Sequence, residues 1–170
     1  IEKVILFGDS LMAGYGLPNE QHLSVVLQRS LEFDGHNIKI INGSVSGSTS
    51  AGGLNIAEWT LSENNIDLMI LCLGANDMLR GINPKETKNN LEEIIQIAKN
   101  KNIKVIIAGM IAPTSYGFAY KKSFDKIFSD LSKKHKLQLI PFLLEGVAQN
   151  PKFNLSDGMH PNDQGTIIIG

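Results

Sequence analysis

The chain has 170 residues, 42% of them hydrophobic and 19% charged, and carries a formal net charge of −1. These proportions are those of an ordinary globular protein long enough to bury a core. They exclude a general polyanion-binding surface: no dense Lys/Arg patch with interleaved aromatics occurs, so nucleic acid is not expected as a partner. No apolar stretch reaches membrane-spanning length, so stable membrane insertion is not expected either.

In chain order, the first predicted strand runs from Val4 to Phe7 and ends in Gly8-Asp9-Ser10. Leu23, Val26, Leu27 and Leu31 keep helical spacing. A second apolar run, Ile38 to Ile41, predicts the next strand, and Ile56, Trp59 and Leu61 predict a helix after it. The third strand is expected from Leu68 to Leu73. It holds the single cysteine, Cys72, so no intrachain disulfide can form, and the apolar neighbours mark a buried structural thiol. Asn83-Pro84 is a helix-start signal ahead of the stripe Leu91, Ile94, Ile95 and Ala98. The fourth strand is expected from Val105 to Ala108. The stripe Phe124, Ile127, Phe128 and Leu131 follows it, and the basic run Lys133-Lys134-His135-Lys136 reads as a solvated helix end. The fifth strand is expected from Leu137 to Ile140. All of these helical stripes, Trp59 included, are expected in the core.

No repeat, low-complexity segment or linker interrupts the pattern, and one domain over residues 1–170 is expected. The chain begins just before its first strand and shows no signal peptide, which leaves room for a removed leader. It stops directly after an apolar run, Thr166 to Gly170, so a continuation of the natural chain is also open.

Five strands alternating with helices imply an α/β fold with a parallel sheet covered on both faces. Right-handed crossovers place all C-terminal strand ends on one edge, and ligands of such sheets bind outside those ends. After the five strands come, in turn, Gly8-Asp9-Ser10, then Asn42 to Gly53 with Gly47 inside it, Gly74-Ala75-Asn76-Asp77, a loop from Gly109 to Tyr120, and Asp157-Gly158-Met159-His160-Pro161.

One rim would thus gather the parts of a serine hydrolase. A free Ser10 hydroxyl is a poor nucleophile near neutral pH and needs a base. His160 can take its proton and return it to the leaving group. Asp157, three residues earlier and within one turn of His160, can hold the imidazole tautomer, and Pro161 suits a helix start immediately after His160. An oxyanion needs donors, and the N–H of Ser10 at a helix start, the N–H of Gly47 and the amide of Asn76 are the candidates. Each residue also has a plain alternative. Gly-Asp-Ser is a common turn, Gly47 can serve a turn, Asn76-Asp77 can cap a helix and Asp157 can close an Asx-turn. His22, His36 and His135 compete for the base role, but none is paired with a carboxylate as His160 is with Asp157.

The blocks Gly8-Asp9-Ser10-Leu11, Gly47 within "NGSVSGSTSAGG", Gly74-Ala75-Asn76-Asp77 and Asp157-Gly158-Met159-His160-Pro161 resemble those of the GDSL, or SGNH, hydrolase family, in order and over nearly the whole chain. The resemblance implies a flavodoxin-like three-layer α/β/α sandwich with a five-stranded parallel sheet. It also implies Ser10 as nucleophile, Ser10, Gly47 and Asn76 as oxyanion donors, His160 as base and Asp157 as its orienter. "LGANDMLRG" and "APTSYGFAY" are most similar to the bacterial thioesterase I/arylesterase/lysophospholipase subgroup, in which the loop after the fourth strand borders the acyl pocket. Met110, Ile111, Tyr116 and Phe118 are therefore candidate acyl contacts, and Asp9 is counted with them as substrate-binding. Ser48 stands where an acidic residue is frequent and Ala75 where a glycine is frequent, which alters the rim but no catalytic group.

The implied activity is an esterase or thioesterase acting on a small acyl-ester or thioester substrate, with no metal or organic cofactor. The alternatives are a carbohydrate O-deacetylase and a flavodoxin-like nucleotide or FMN-binding module, in which the loop from Ser10 to Gly16 would cradle phosphate. Few aromatic platforms for sugar rings are present, and no full dinucleotide fingerprint appears. The resemblance further implies a periplasmic or secreted protein. Oligomeric state is open.

Overall fold

The structure is a computed structural model that describes residues 2–62 and 65–170. Five strands, β1 (Glu2–Gly8), β2 (Ile38–Asn42), β3 (Leu68–Cys72), β4 (Lys104–Ala108) and β5 (Gln138–Ile140), form one sheet in the order β2-β1-β3-β4-β5. Every neighbouring pair is parallel, with Val4 opposite Ile40 on one side and Leu68 on the other. The helices are α1 (Ser10–Ala13), α2 (Leu23–Phe33), α3 (Ser50–Ser62), α4 (Ala75–Leu79), α5 (Pro84–Asn100), α6 (Phe118–His135) and α7 (Asp163–Ile169). α2 packs with α1 and α7, while α5 packs with α3 and α6, which gives one helical layer on each side of the sheet. This is the expected α/β/α architecture.

The central strands are buried on both faces, which is why they read as unbroken apolar runs rather than as alternations. Ile5, Leu6 and Phe7 are each 1% exposed. The predicted stripes of α5 and α6 lie in the same core: Leu91, Ile94, Ile95, Ala98, Phe124 and Leu131 are fully buried. Asn83 caps α5, its side chain accepting from the Lys85 N–H, with Pro84 in the first turn as expected. Cys72 is buried, and desolvation pushes its thiol well above its ordinary pKa, so it is an inert core residue.

Two expectations are corrected. Trp59 is not in the core but 69% exposed. The buried face of α3 is Gly53, Ala57 and Leu61, spaced by four residues, and Gly53 lies so close to the sheet that a Cβ there would stand 2.4 Å from Leu73 Cδ1. A helix seated through glycine and alanine has no room beneath it for an indole, and Trp59, two residues from Ala57, faces the other way. Nor does Pro161 begin a helix. Pro161 forms an antiparallel bridge with Asn154, and α7 starts two residues later, capped by the Asn162 side chain on the Gly165 N–H.

The strand order reverses between β1 and its two neighbours, and there the sheet opens a crevice at its C-terminal edge. β1 ends in that crevice. Gly8 is required at this point, because a Cβ would meet the Cys72 carbonyl oxygen at 2.5 Å and Met12 Cγ at 2.8 Å. The packing of α3 gives a direct test. Leu61→Ala should lower the unfolding free energy by about 2–5 kcal/mol, whereas Trp59→Ala should change it by less than about 0.5 kcal/mol, as measured by urea denaturation.

Candidate active site

Ser10 is the first residue of α1, so its N–H is among those a helix leaves unpaired. Asp9, the cap, accepts from the Leu11 N–H at 3.0 Å and turns the chain out of β1. His160 reaches Ser10 from the far end of the sequence. Its loop is tied by the Leu155 N–H to the His160 carbonyl (2.7 Å), by the Asn154–Pro161 bridge and by the Asn162 amide donating to the Lys152 carbonyl (2.8 Å).

Ser10 Oγ lies 3.0 Å from His160 Nε2, and His160 Nδ1 lies 2.5 Å from Asp157 Oδ2. A proton on Nδ1, facing the carboxylate, leaves Nε2 as acceptor for the Ser10 hydroxyl. The two oxygens of Asp157 have separate partners. Oδ1 closes an Asx-turn on the N–H groups of Met159 (2.9 Å) and His160 (3.0 Å), while Oδ2 faces the imidazole. The backbone N–H of His160, that of Met159 and the His160 ring together hold the Asp157 carboxyl down to a pKa of about 2. Tyr15 covers the other side of the imidazole, its ring centroid 4.4 Å away at 37°. Nothing in the sequence marks that stacking, because the two residues are brought together only by the fold.

Two of the other histidines are engaged elsewhere and the third is on the surface. His22 Nε2 is 3.0 Å from the Leu17 carbonyl, His135 Nε2 is 2.8 Å from Glu92, and His36 is exposed. Lys134 and His135 both hold Glu92 below its usual carboxylate pKa, so part of the basic run at the end of α6 is ion-paired rather than merely solvated. Most of the segment from Ser10 to Gly16 is helix rather than a glycine-rich loop. It is α1 and its C-cap, and a Cβ on Gly14 would stand 2.3 Å from the His22 ring.

Gly47 sits in a turn closed by the Ser48 N–H to the Val45 carbonyl (3.1 Å), at φ +79°, a conformation that favours glycine. Asn76 is the second residue of α4. Its amide donates to the Ser48 carbonyl at 3.0 Å, and its second N–H has no partner among the described residues. Asn76 does not cap α4, where Gly74 holds the cap position.

The substrate-binding candidates divide. Asp9 is 1% exposed and lies as the buried cap beneath Ser10 rather than on the open rim. Met110 is also buried, because the chain remains bonded to the β5 side through the Gly109 N–H to the Ile140 carbonyl (2.7 Å) and the Leu143 N–H to the Gly109 carbonyl (3.0 Å). Tyr116 is half-buried against Tyr120, and Ile111 and Phe118 are exposed. Tyr15, Val45, Leu79 and Met159 are likewise exposed apolar residues in the segments that follow the strands. A groove of about 640 Å³ between the α4–α5 loop and α6 is lined by Lys85, Lys88, Tyr120, Lys126 and Asp130 but by none of the Ser10–His160–Asp157 set. Among the described residues no cluster suits a metal ion.

A serine, an imidazole and a carboxylate bonded in series at the C-terminal edge of a doubly wound sheet define a serine hydrolase of the α/β class. The chain belongs to the GDSL-like lipase/acylhydrolase family, whose profile matches residues 6–166. It is 37% identical to an arylesterase of Vibrio mimicus over 96% of this chain and 82% of that protein. It is 31% identical to thioesterase 1/protease 1/lysophospholipase L1 of Escherichia coli over 95% and 76%. The solved structure of TesA matches with a TM-score of 0.94 at 33% identity, covering 99% of this chain and 93% of that one. That of AlinE4, an SGNH-hydrolase family esterase, matches with a TM-score of 0.89 at 38% identity, covering 96% and 88%.

The buried cap has a measurable consequence. Burial pushes the Asp9 carboxyl from 3.8 up to a pKa of about 6, and Oδ2 has no hydrogen-bond partner. The folded state therefore holds this proton more tightly than the unfolded chain. The associated stability is complete below about pH 4 and is lost as the pH rises through 6, a loss of roughly 3 kcal/mol by pH 8. Asp9→Asn keeps an acceptor for the Leu11 N–H and removes the titration. Its melting temperature should exceed that of the parent at pH 8 by several degrees and match it at pH 4; equal shifts at both pH values would contradict this account.

Proposed function

We propose that this chain hydrolyses acyl esters and acyl thioesters through a covalent acyl-enzyme on Ser10. The observation that carries the reading is the unbroken series Ser10 Oγ–His160 Nε2 and His160 Nδ1–Asp157 Oδ2, at 3.0 and 2.5 Å. Ser10 Oγ attacks the acyl carbonyl carbon while His160 Nε2 takes the hydroxyl proton. The negative charge on the carbonyl oxygen is met by the N–H groups of Ser10 and Gly47 and by the Asn76 amide. Collapse breaks the bond to the alcohol or thiol, which leaves with the proton held by His160. Water then repeats the sequence on the acyl-enzyme and releases the acid. Asp157 stays ionised throughout and stabilises the imidazolium without taking its proton. No metal or cofactor enters any step.

The names of the relatives cover aryl esters, thioesters and lysophospholipids, and the exposed Ile111, Phe118 and Leu79 favour an apolar acyl or leaving group over a sugar. Action in the periplasm or outside the cell is part of the proposal and rests on the family resemblance; among the described residues no helix is long and apolar enough to cross a membrane. Fractionation of cells expressing the full-length protein tests that location.

Hydrolysis of p-nitrophenyl esters from acetate to decanoate tests the chemistry. Ser10→Ala should remove turnover, with a loss on the order of 10⁶, while its circular dichroism matches the parent; near-parental turnover by this variant sinks the acyl-enzyme. An optimum beyond acetate supports a lipid-type acyl group, and activity confined to acetate supports deacetylation. Activity should also fall as the pH is lowered from 8 to 5. Asp157, with a pKa of about 2, remains charged across that interval and is not the cause of the fall. A flat profile would remove His160 from the base role.

A further inference from the structure

Asp77 lies beside Asn76 on α4 and is fully buried. A buried carboxylate is costly unless donors replace the water it has lost. Here the donors come from two other helices. Ser50, the first residue of α3, gives its N–H to Oδ1 at 2.7 Å and its hydroxyl to Oδ2 at 2.5 Å, and Thr87 of α5 gives its hydroxyl to Oδ2 at 2.8 Å. Asn90, one turn further along α5, donates to Ser50 Oγ at 3.0 Å. The carboxylate thus fastens α4 to the start of α3 and to α5.

Both attachments on α3 and its loop bear on the oxyanion donors. Ser50 stands three residues after Gly47, so its two bonds to Asp77 fix one end of the segment that carries the Gly47 N–H. Asn76, the neighbour of Asp77, holds the same segment at the Ser48 carbonyl. No side chain packs over the Cβ side of Gly47, where nothing lies within 4 Å, so backbone and side-chain hydrogen bonds locate its turn. The Gly47 segment is thus held from two sides, on β1 by the Val45 N–H to the Gly8 carbonyl at 3.1 Å and on α4 by adjacent residues, and the α4 side is the one that also carries the Asn76 amide.

We infer that Asp77 is a positioning residue for the hydrolysis, holding the Gly47 and Asn76 donors in register through Ser50. It touches no reacting atom, and the inference rests on the function proposed above. Its signature is a loss confined to the transition state. A donor displaced by a fraction of an ångström still admits substrate but meets the developing charge poorly.

The test uses Asp77→Asn and Ser50→Ala, each checked by circular dichroism at the assay temperature. In Asp77→Asn the amide oxygen can still accept from the Ser50 N–H, and the NH₂ can donate to the two hydroxyls, so the fold has a route to survive with a weaker clamp. For p-nitrophenyl butyrate we expect kcat to fall about 10–100-fold in Asp77→Asn and several-fold in Ser50→Ala, with KM within about threefold of the parent. The affinity of an alkyl trifluoromethyl ketone, whose serine adduct places an oxyanion among the same donors, should fall in step with kcat/KM. A folded variant with parental kcat, a loss that appears in KM alone, or unchanged ketone affinity overturns the inference. If Asp77→Asn does not fold, Ser50→Ala is judged by the same criteria. Ser10→Ala separates the two readings. Turnover that persists in Ser10→Ala defeats the proposed function, whereas an inactive Ser10→Ala beside fully active Asp77→Asn and Ser50→Ala defeats only the positioning role.

Discussion

The hydrogen bond between Ser10 Oγ and His160 Nε2 joins groups 150 residues apart, and the rest of the structure exists in a form that keeps that distance at 3.0 Å. One partner hangs from the end of β1, the most deeply buried strand of the sheet. The other stands on a loop at the opposite end of the chain. The serine is placed by a rigid device: a strand buried on both faces, a glycine that lets the chain pass under Met12, and a four-residue helix started by Asp9. The histidine is placed by many small ones, namely a bridge at Pro161, a short backbone bond from Leu155 to its own carbonyl, and an Asx-turn through Asp157. The two are coupled through the packing of α7 against α2, which closes the sheet's first layer and brings the C-terminal loop over β1.

Two carboxylates flank this bond and are driven in opposite directions by their surroundings. Asp157 faces solvent and accepts two backbone N–H groups and the imidazole, which favours its charge. Asp9 is shut beneath Ser10 with one N–H on one oxygen and none on the other, which disfavours its charge. Environment rather than residue type sorts them into an ionised orienter and a structural cap that titrates near neutrality. The His160 charge lowers the pKa of both carboxyls, so a positive imidazole is favourable to each.

How much of this was legible in the sequence depended on whether a signal was local. The five strands were readable because burial on both faces leaves continuous apolar runs, and the proposed catalytic set could be picked out because the C-terminal strand ends share one edge. Asp157 and His160 lay within one turn of each other. Trp59 misled because its spacing fits a helical stripe, while the seating of α3 was decided by Gly53 meeting Leu73, a contact with another element. Pro161 misled because proline also suits a strand bridge. The Asp77 network was invisible for the same reason as the Tyr15–His160 stacking. Its members come from three helices, with separations of 27 and 10 residues from Asp77 that match no local period. Asn76-Asp77 looked like a cap, and only the fold shows that Asp77 turns inward while the Asn76 amide turns to the Ser48 carbonyl.

The division between rigid and adaptable parts follows from what each must do. Stabilising an oxyanion requires donors already aimed before charge develops, since moving them at that moment would cost what they are meant to supply. The proposed donors stand on α1 and α4 and on a turn tied by hydrogen bonds to α4 and, through it, to α5. Recognition of an acyl chain makes no such demand, because apolar contact is non-directional and scales with area. The residues available for it, such as Val45, Leu79, Ile111 and Phe118, are exposed at the sheet's exits. They can change in size or position without disturbing a single bond of the relay, so one catalytic frame can serve different acyl groups through its loops.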